Sequence, residues 1–512
     1  MKHTKRLLAL LLAMLMLIAM VSCGDNTPQN TETGDGNGTE APKESVDANI
    51  PESAVPKNLK FTGQEARILI HGTGDKDFTS TIENDTIIGK ALFDRNDLTE
   101  SRLDITLNYV SQTGNLQTEY LDHIRNAALI GGDDNYDIIT SSAYYTAALA
   151  AEGLFYNLNA GDEVNYVTPD QPWYHQSFVK GTAYKNKLFF ITGDLTLTAT
   201  DRAPVTFFNE DELAKWSITD NLYNKALAGE WTMEYMQTLI KDIHVELDNE
   251  EGQTKGDYYG LFFNCGSMCI DAMLVAAGIN ITNTKDDGTI EITWSSGTAV
   301  DAFEKIYDLM YETSGVYLGT TGANTYYGSN GFGYYSEQSF YEKRAVFSFG
   351  ILYSAQQFAA DASLHYGMLP LPKYDKNQDY ATTPQDGYTV VAIPQNVGDR
   401  LQLATATLET LSESSYIKVR PTYYELAYKV RYASSEDTAK LFDTVIASMK
   451  FSFGSFYSSS LGNPAWTLRQ RLMGSSTEPN SNLLGVAGNI HTMALQMQID
   501  KLLAEFDGMG NG

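Results

Sequence analysis

The chain has 512 residues and a formal net charge of −28 at pH 7. A hydrophobic content of 43% and an aromatic content of 12% are typical of a globular protein rather than a disordered one, and the length allows two domains. So acidic a surface repels phosphate backbones, and we therefore expect no nucleic-acid partner.

The first residues have the pattern of a secretion signal. A basic stretch at residues 1–6 precedes an apolar run at residues 7–20, and the segment ends at Cys23. The apolar run is too short for a membrane-spanning helix, which needs about 20 residues. Met20-Val21-Ser22-Cys23 resembles the lipobox of bacterial lipoproteins, although leucine is more usual at the position of Met20. The resemblance implies that residues 1–22 are removed and that Cys23 becomes lipidated, anchoring the protein to the outside of a bacterial cell membrane. An ordinary cleaved signal with an incidental cysteine is the alternative.

Residues 24–57 differ in composition from the rest of the chain. They contain no aromatic residue and are rich in Gly, Asn, Thr, Asp, Glu and Pro. Such a segment cannot bury enough apolar surface to offset the entropy lost on ordering. We therefore predict a flexible tether over residues 23–57, which begins at the lipid anchor and holds a folded domain away from the membrane.

Strand and helix patterns alternate after Pro56. Hydrophobic spacing predicts strands at 66–70, 105–109 and 136–139, and helices at 87–98 and 121–129. Further strands are predicted at 188–191 and 205–208, and helices at 210–216, after a capping Thr232 and at 300–310. Asp287-Gly288 between two apolar runs indicates a hairpin turn, and the chain after Arg400 is mainly helical. This order predicts an α/β fold with a mostly parallel sheet.

The sequence contains no complete motif for a cofactor or for catalysis. Gly72-Thr73-Gly74 follows a strand but lacks the third glycine of a dinucleotide fingerprint, because Asp77 stands there. The segment 283–288 lacks the ligand pattern of a calcium loop. Zinc-protease, serine-hydrolase and phosphate-loop motifs are not found in the sequence either. We expect no catalytic residue, no cofactor and no metal.

Two cysteines remain besides Cys23. Cys265 and Cys269 are four positions apart in Cys-Gly-Ser-Met-Cys. This spacing is compatible with a strained local disulfide, a soft metal site or two free thiols. No histidine cluster lies near them in sequence, and two thiols in a core segment is the interpretation that we favour.

Several sequence blocks occur in an order that is familiar from one protein family. They are Asp137-Ile138-Ile139 with Gly153-Leu154-Phe155-Tyr156-Asn157-Leu158, Phe207-Phe208-Asn209, Gly229-Glu230-Trp231-Thr232, Gly256-Asp257-Tyr258-Tyr259-Gly260-Leu261, the segment 342–347, the segment 366–372 and the segment 387–393. With these blocks, the chain resembles the extracellular solute-binding lipoproteins of bacterial ABC importers, most closely the carbohydrate group related to maltose-binding protein. The resemblance covers about residues 60 to 505.

The resemblance implies a two-lobed, type II periplasmic-binding-protein-like fold with a ligand cleft between the lobes and a helical C-terminal region. Lobe one would hold residues 58–195 and 389–420, and lobe two residues 196–388 and 421–512. The implied function is to capture a small solute, an oligosaccharide above all, and to deliver it to permease subunits by hinge closure. The protein would be a monomer and would perform no chemistry. A non-sugar ligand such as a peptide or a polyol phosphate, a secreted carbohydrate-active enzyme, and a scaffold protein are the alternatives.

The family's cleft loops map onto a set of candidate ligand-binding residues. These are Asp75, Ser142, Tyr144, Asp201, Arg202, Asn264, Phe349, Tyr353, Gln385, Asp386 and Tyr388. Aromatic faces can stack on sugar rings, and planar polar groups can bind hydroxyls. Asp201 and Arg202 can serve vicinal hydroxyls in this way, or they can form a structural ion pair at the hinge.

Overall fold

The computed structural model describes residues 50–72, 75–79, 86–130, 135–248, 250–295, 297–319, 335–424, 436–473 and 486–509. The folded unit begins at Glu52. The predicted signal and the predicted tether, apart from the latter's last residues, lie outside the described residues.

Strands of the described residues form two larger sheets and one hairpin. In chain order they are β1 (Gln64–His71), β2 (Ile105–Gln112), β3 (Ile138–Ser142), β4 (Pro204–Asn209), β5 (His244–Val245), β6 (Tyr258–Asn264), β7 (Thr282–Thr284), β8 (Ile290–Ile292), β9 (Val316–Gly319), β10 (Ala345–Ile351), β11 (Tyr366–Leu369) and β12 (Thr389–Ala392).

The first sheet has the strand order β12-β3-β1-β2. β1 pairs in parallel with β2 and β3, and β12 pairs antiparallel with β3. An isolated antiparallel bridge between Ile191 and Val391 extends the sheet beyond β12, at the position of a predicted strand. Ile68, Leu69 and Ile70 of β1 are all buried, since helices cover both faces of the sheet. For this first sheet, the mostly parallel arrangement that the pattern predicts is confirmed. The second sheet differs, since three of its five strand pairings are antiparallel.

The second sheet has the order β11-β4-β10-β6-β5, and β9 pairs with the remaining length of β6. β10 is parallel to β6 and antiparallel to β4. The chain therefore leaves the first sheet after β3, builds the second sheet from β4 to β11, and returns to the first sheet at β12. The connections 192–203 and 370–388 both run between the sheets.

Helices account for much of the remaining described chain. Their bounds are Asp75–Phe78, Ile87–Leu103, Glu119–Ile130, Ala143–Thr146, Ala147–Glu152, Gln176–Thr182, Thr198–Asp201, Glu210–Lys215, Leu222–Leu227, Met233–Ile240, Ser267–Ala276, Gly297–Tyr311, Tyr335–Tyr341, Ser354–Phe358, Gln395–Arg400, Leu401–Ser414, Ser415–Val419, Glu436–Ser448, Phe453–Phe456, Ser458–Leu461, Pro464–Met473 and Val486–Gly508. No helix among these described residues is both long and apolar enough to cross a membrane.

Local capping explains where several helices begin and end. The Thr86 hydroxyl accepts a hydrogen bond from the amide of Gly89, and that of Thr232 accepts one from the amide of Tyr235. The predicted cap at Thr232 is thus confirmed. The helix ends at Ile240, and the chain then turns toward β5.

The C-terminal region contacts elements of both sheets. In the helix Val486–Gly508, the Asp507 carboxylate forms an ion pair with Lys185 at 2.8 Å. In the same helix, the Thr492 hydroxyl accepts a hydrogen bond from the Trp294 indole at 2.9 Å. Lys185 precedes β4 and Trp294 follows the β7–β8 hairpin. This helix is therefore bonded both to the segment before β4 and to the segment after the hairpin. The division of the chain into lobes at 58–195 with 389–420 and 196–388 with 421–512 stays a prediction.

A turn and two cysteines between β4 and β12 were the subject of expectations from the sequence. Asp287-Gly288 lies in the turn between β7 and β8, as predicted for a hairpin. Cys265 and Cys269 are free thiols and both are buried, which is the interpretation that we favoured among the three. Burial raises the pKa of the Cys265 thiol to about 12, so it is protonated at neutral pH.

Candidate functional site

A cleft of about 280 Å³ lies where the carboxyl ends of the first sheet's strands face the second sheet. Its walls come from both sheets and from both connections between them. The lining residues are His71, Leu116, Thr140, Ser141, Ser142, Thr198, Asp201, Arg202, Ile351, Tyr353, Gly387 and Thr389. The carboxyl ends of strands in open α/β sheets are common ligand positions. The volume is near the lower end of the range for small-molecule pockets, about 300–1,000 Å³.

Hydroxyl groups dominate the first-sheet wall of the cleft. Ser141 and Ser142 end β3, and Ser142 pairs across to Thr389 of β12. Their side-chain oxygens are buried and have no hydrogen-bond partner among the described residues. A buried hydroxyl without a partner costs free energy, which a polar ligand can recover by hydrogen bonding. This wall is therefore suited to a ligand that carries hydroxyl or other polar groups.

Asp201 and Arg202 lie side by side at the end of the helix Thr198–Asp201, but they have different partners. The Asp201 carboxylate accepts a hydrogen bond from the Tyr423 hydroxyl, and Asp201 is only 6% exposed. The Arg202 guanidinium donates through Nη1 to the Gln385 side-chain oxygen. Asp201 therefore links the first connection, residues 192–203, to the chain near residue 423. Arg202 links the first connection to the second, residues 370–388.

Tyr353 supplies a phenol ring from the second sheet. It follows β10, and its amide donates to the Asp201 carbonyl oxygen at 2.9 Å. Its side chain remains 38% exposed, which is unusual among the large hydrophobic residues of this chain. A half-exposed phenol ring on the wall of a polar cleft can stack on the apolar face of a ring-shaped ligand and bind a hydroxyl with its own oxygen.

A second, smaller cavity of about 60 Å³ is bordered by the same connection, residues 384–388. Its walls are mostly apolar side chains, and they include Tyr144, Asp386 and Tyr388. The Tyr144 hydroxyl donates to Asn463 at 2.9 Å. The Asp386 carboxylate accepts hydrogen bonds from the Gln385 side-chain amide at 2.9 Å and from Ser267 at 3.4 Å.

A salt bridge borders this smaller cavity. Arg469 donates to both oxygens of Asp271, at 3.0 Å and 2.5 Å, and their side chains are 10% and 19% exposed. Burial raises the pKa of Asp386, while the nearby Arg469 and Arg202 charges act in the opposite direction. The polar groups of Tyr144, Asp271 and Asp386 at this cavity are thus bonded within the protein.

The predicted site residues divide into four groups. Ser142, Asp201, Arg202 and Tyr353 line the larger cleft together. Tyr144, Asp386 and Tyr388 line the smaller cavity, and Gln385 bonds to Arg202 and to Asp386. Asn264 and Phe349 lie inside the second sheet. The side chain of Asp75, which begins a four-residue helix, lies outside the described residues.

Asn264 and Phe349 are buried by the sheet that carries them. Asn264 ends β6, and its side-chain oxygen accepts a hydrogen bond from the Gly266 amide at 2.7 Å. Phe349 lies in β10 between two other strands, is fully buried and packs against Phe263 with ring centroids 5.5 Å apart. The Phe349 side chain therefore packs in the core rather than facing the cleft, whereas Ile351, at the end of β10, lines the cleft.

Other residues of the cleft were not among the sequence-based candidates. His71 ends β1, and Thr198 and Thr389 flank the two connections. His71 lies 3.0 Å, through its Nε2, from the carbonyl oxygen of Gly114. Position at the end of a predicted parallel strand was the available signal for His71. The antiparallel return of β12 beside β3, which places Thr389 opposite Ser142, has no comparable sequence signal.

Comparisons with known proteins bear on the fold. No family model matches the chain, and no curated protein matches its sequence. The GacH receptor of Streptomyces glaucescens matches in structure with a TM-score of 0.52 and 14% identity, over 85% of this chain and 99% of that one. UspC of M. tuberculosis matches with a TM-score of 0.50 and 14% identity, over 85% of this chain and 100% of that one.

The GacH receptor has been crystallised unliganded and in complex with acarbose and an acarbose homolog, and compared with the acarbose-loaded maltose binding protein of Salmonella typhimurium. At 14% identity, the likeness concerns the fold. It spans 99% of the receptor and 85% of this chain. The two-lobed α/β fold implied by the sequence resemblance is therefore confirmed: this chain has the fold of the GacH receptor.

Proposed function

We propose that this protein is an extracytoplasmic receptor that captures a small sugar in the 280 Å³ cleft and passes it to an ABC importer. The observation that carries the proposal is the cleft itself, with buried hydroxyls that have no partner among the described residues on one wall and an arginine and a tyrosine on the others. The fold of the GacH receptor, whose structure includes a complex with acarbose, supports a sugar as the ligand. The protein would bind its ligand and perform no reaction on it.

The walls of the cleft suggest how capture takes place. Ser142 belongs to the first sheet, Tyr353 to the second, and Arg202 and Gly387 to the two connections. A ligand that contacts all of them stabilises the arrangement in which the sheets are close together, because its contacts are fewer when they separate. The short connections are the natural hinges. The closed form is then the species that a permease recognises.

The N-terminal pattern completes the proposal. Cys23 follows a segment that resembles a lipobox, and a tether without aromatic residues separates it from β1. We propose that Cys23 carries a lipid and that the folded unit stands outside the cell membrane as a monomer. Mass spectrometry of the protein from cells tests this: an N-terminal diacylglyceryl-cysteine peptide supports the anchor, and a mature chain without lipid contradicts it.

Thermal unfolding of the purified protein tests ligand capture. The protein is screened against mono- and oligosaccharides, with amino acids, peptides and phosphorylated polyols as controls. A ligand at 100 times its dissociation constant stabilises the native state by about 2.7 kcal/mol. A saturable rise in Tm with one class of sugar, without turnover of the sugar, is the expected result. A rise with peptides alone contradicts the sugar assignment, and consumption of the sugar contradicts a non-enzymatic role.

A further inference from the structure

We infer that the ligand is an acidic sugar, whose carboxylate is bound by the guanidinium of Arg202. This inference rests on the proposed function, because it takes the cleft as the solute site. It goes beyond that function by naming a charge on the ligand and the residue that recognises it. The prediction runs against the overall charge of −28, which by itself disfavours an anionic solute.

Arg202 is the positively charged side chain of the cleft wall, and its charge has no carboxylate partner in the described part of the chain. Within that part, its guanidinium makes one hydrogen bond, from Nη1 to the neutral amide oxygen of Gln385. A guanidinium has five N–H donors, so most of its capacity is left for a ligand or water. Arg469, at the smaller cavity, instead donates to both oxygens of Asp271.

Asp201 and Asp386, which adjoin Arg202 and its partner Gln385 in the sequence, are bonded to other groups. The Asp201 carboxylate accepts a hydrogen bond from the Tyr423 hydroxyl. The Asp386 carboxylate accepts hydrogen bonds from the side-chain amide of Gln385 at 2.9 Å and from the Ser267 hydroxyl at 3.4 Å. Asp386 also borders the smaller cavity rather than the cleft. The Asp386 charge reduces the potential at Arg202 without forming an ion pair with it.

The guanidinium is held in place before any ligand binds. The backbone amide of Gln385 donates to the Arg202 carbonyl oxygen at 3.0 Å. The two residues are thus joined through their backbones as well as through their side chains. A side chain at Gly387 would place its Cβ 3.2 Å from Nη1 and 3.2 Å from the Gln385 oxygen, closer than ordinary contact. Glycine thus leaves room for the guanidinium against the backbone. A preorganised donor binds with less loss of entropy.

A carboxylate fits this site better than a phosphate. Two parallel N–H groups of arginine match the two oxygens of a carboxylate. A phosphate monoester carries close to two charges, and its repulsion by the acidic surroundings is correspondingly greater. Ser141 and Ser142, whose hydroxyls have no partner in the part of the chain that the structure describes, line the same cleft and are suited to the ring hydroxyls of a sugar. A uronic acid, alone or in a disaccharide, combines both features.

The test compares matched pairs of sugars by calorimetry on the full chain. D-Galacturonate with D-galactose, D-glucuronate with D-glucose, and digalacturonate with galactobiose differ in a carboxylate against a hydroxymethyl group. Glucose 6-phosphate and galactose 6-phosphate test a phosphate in the same place. We expect at least one uronate to bind 10-fold or more tightly than its neutral partner, and the 6-phosphates to bind more weakly than that uronate.

Variants of Arg202 tie the preference to this residue. Arg202→Gln should remove the preference for the uronate, and Arg202→Lys should keep part of it because the charge remains. Arg125→Gln is the matched control, since Arg125 makes exposed ion pairs with Asp122 and Glu152 away from the cleft. It should leave both affinities within twofold. If the variants do not fold, NaCl should weaken binding of the uronate more than binding of its neutral partner on the unmodified protein, which tests the charge preference itself.

The outcomes separate the two proposals. Binding of a neutral sugar with equal or greater affinity than its uronate overturns the inference and leaves the sugar receptor standing. Tighter binding of a sugar phosphate replaces the carboxylate with another anion and also overturns it. Failure of every sugar to bind, neutral and acidic, overturns the inference and the proposed function together.

Discussion

The two cavities beside the second connection differ in how the protein treats charge. The smaller one, about 60 Å³, has an arginine and an aspartate joined by two hydrogen bonds. The larger one, about 280 Å³, has an arginine whose one hydrogen bond within the described residues goes to a neutral amide, and two serine hydroxyls with no partner among those residues. Buried polar groups are normally paired. Other buried polar atoms of the described residues also lack a partner, so the contrast between the two cavities lies in the arginines, of which one is paired with a carboxylate and the other is not.

The helix Leu401–Ser414 shows a third way to accommodate an ionisable group in the interior. Glu409 is fully buried, and its carboxyl group accepts hydrogen bonds from the Tyr174 hydroxyl at 2.5 Å and the Thr168 amide at 3.2 Å. Burial raises its pKa to about 8, so it is neutral at pH 7. Asp271 is thus paired and Glu409 is neutral, while the buried cations Arg95 and Lys373 donate to backbone carbonyl oxygens. Arg202 is neither paired with a carboxylate in the described chain nor able to become neutral.

The largest expected effect breaks the pair at the smaller cavity. Arg469→Leu should lower the free energy of unfolding by about 3–5 kcal/mol, because Asp271 is left buried without a cation. Denaturant unfolding monitored by circular dichroism measures the change. The double variant Asp271→Leu/Arg469→Leu is the control and should recover much of the loss. A loss below about 1 kcal/mol for Arg469→Leu would show that the pair is not structural.

The free energy of unfolding, measured at a series of pH values, tests whether Glu409 is neutral in the folded protein. Its pKa is about 8 in the folded protein and near its ordinary value of 4.5 when unfolded. The folded state therefore holds the extra proton between these values, and the free energy of unfolding should fall as pH rises from about 5 to 8. The slope for one proton is about 1.4 kcal/mol per pH unit.

Glu409→Gln is the comparison for this series, since glutamine keeps the shape and cannot ionise. Urea unfolding at several pH values should show that the variant is less dependent on pH, with the difference appearing above about pH 5. If the free energies of unfolding of the two proteins change with pH in the same way, Glu409 is ionised in the folded state. The protein would then tolerate unpaired buried charge more widely than the comparison of the two cavities implies.

Two tyrosines distinguish the cavities by ligand affinity. Tyr353 lines the larger cleft and Tyr144 lines the smaller cavity, where its hydroxyl bonds to Asn463. Tyr353→Ala should weaken binding of a stabilising sugar about 5- to 10-fold, consistent with the roughly 0.5–1.5 kcal/mol of an aromatic contact. Tyr144→Ala should weaken it less than twofold. Calorimetry measures both, and the reverse order would assign the ligand to the smaller cavity.

The smallest expected effect concerns stability at the cleft. Arg202→Gln should change the free energy of unfolding by less than about 1 kcal/mol without ligand, since no ion pair of the described chain is lost. The same denaturant experiment as for Arg469→Leu gives the value. A loss as large as that of Arg469→Leu would make Arg202 a structural residue and remove the contrast between the two cavities.

Sequence patterns predicted the architecture better than the site. Strand and helix periodicity located β1 to β4, and the family resemblance implied two lobes, because both depend on local spacing and block order. The lining of the cleft depends on which strand ends meet, and that is set by pairings such as β12 beside β3. Phe349 was placed among the candidates because the chain re-enters the cleft near β10, yet its own side chain is buried in the sheet.

Ser142, Asp201, Arg202 and Tyr353 were found because each follows a strand or lies on a connection, where family loops reach the cleft. Tyr144 and Asp386 lie only a few residues from these positions and yet line the other cavity. Adjacent residues of a connection can face opposite sides, and the sequence carries no signal that distinguishes them. The different partners of Arg202 and Arg469 are likewise visible only in three dimensions.

The central claim is that the larger cleft binds the solute, and a structure with bound sugar tests it most directly. Crystals of the protein grown with a sugar that raises its Tm should show the ligand between Ser142, Arg202 and Tyr353, with its polar groups on the serine hydroxyls and the guanidinium. Ligand density in the smaller cavity, or on the outer surface with the 280 Å³ cleft free of it, would contradict the account.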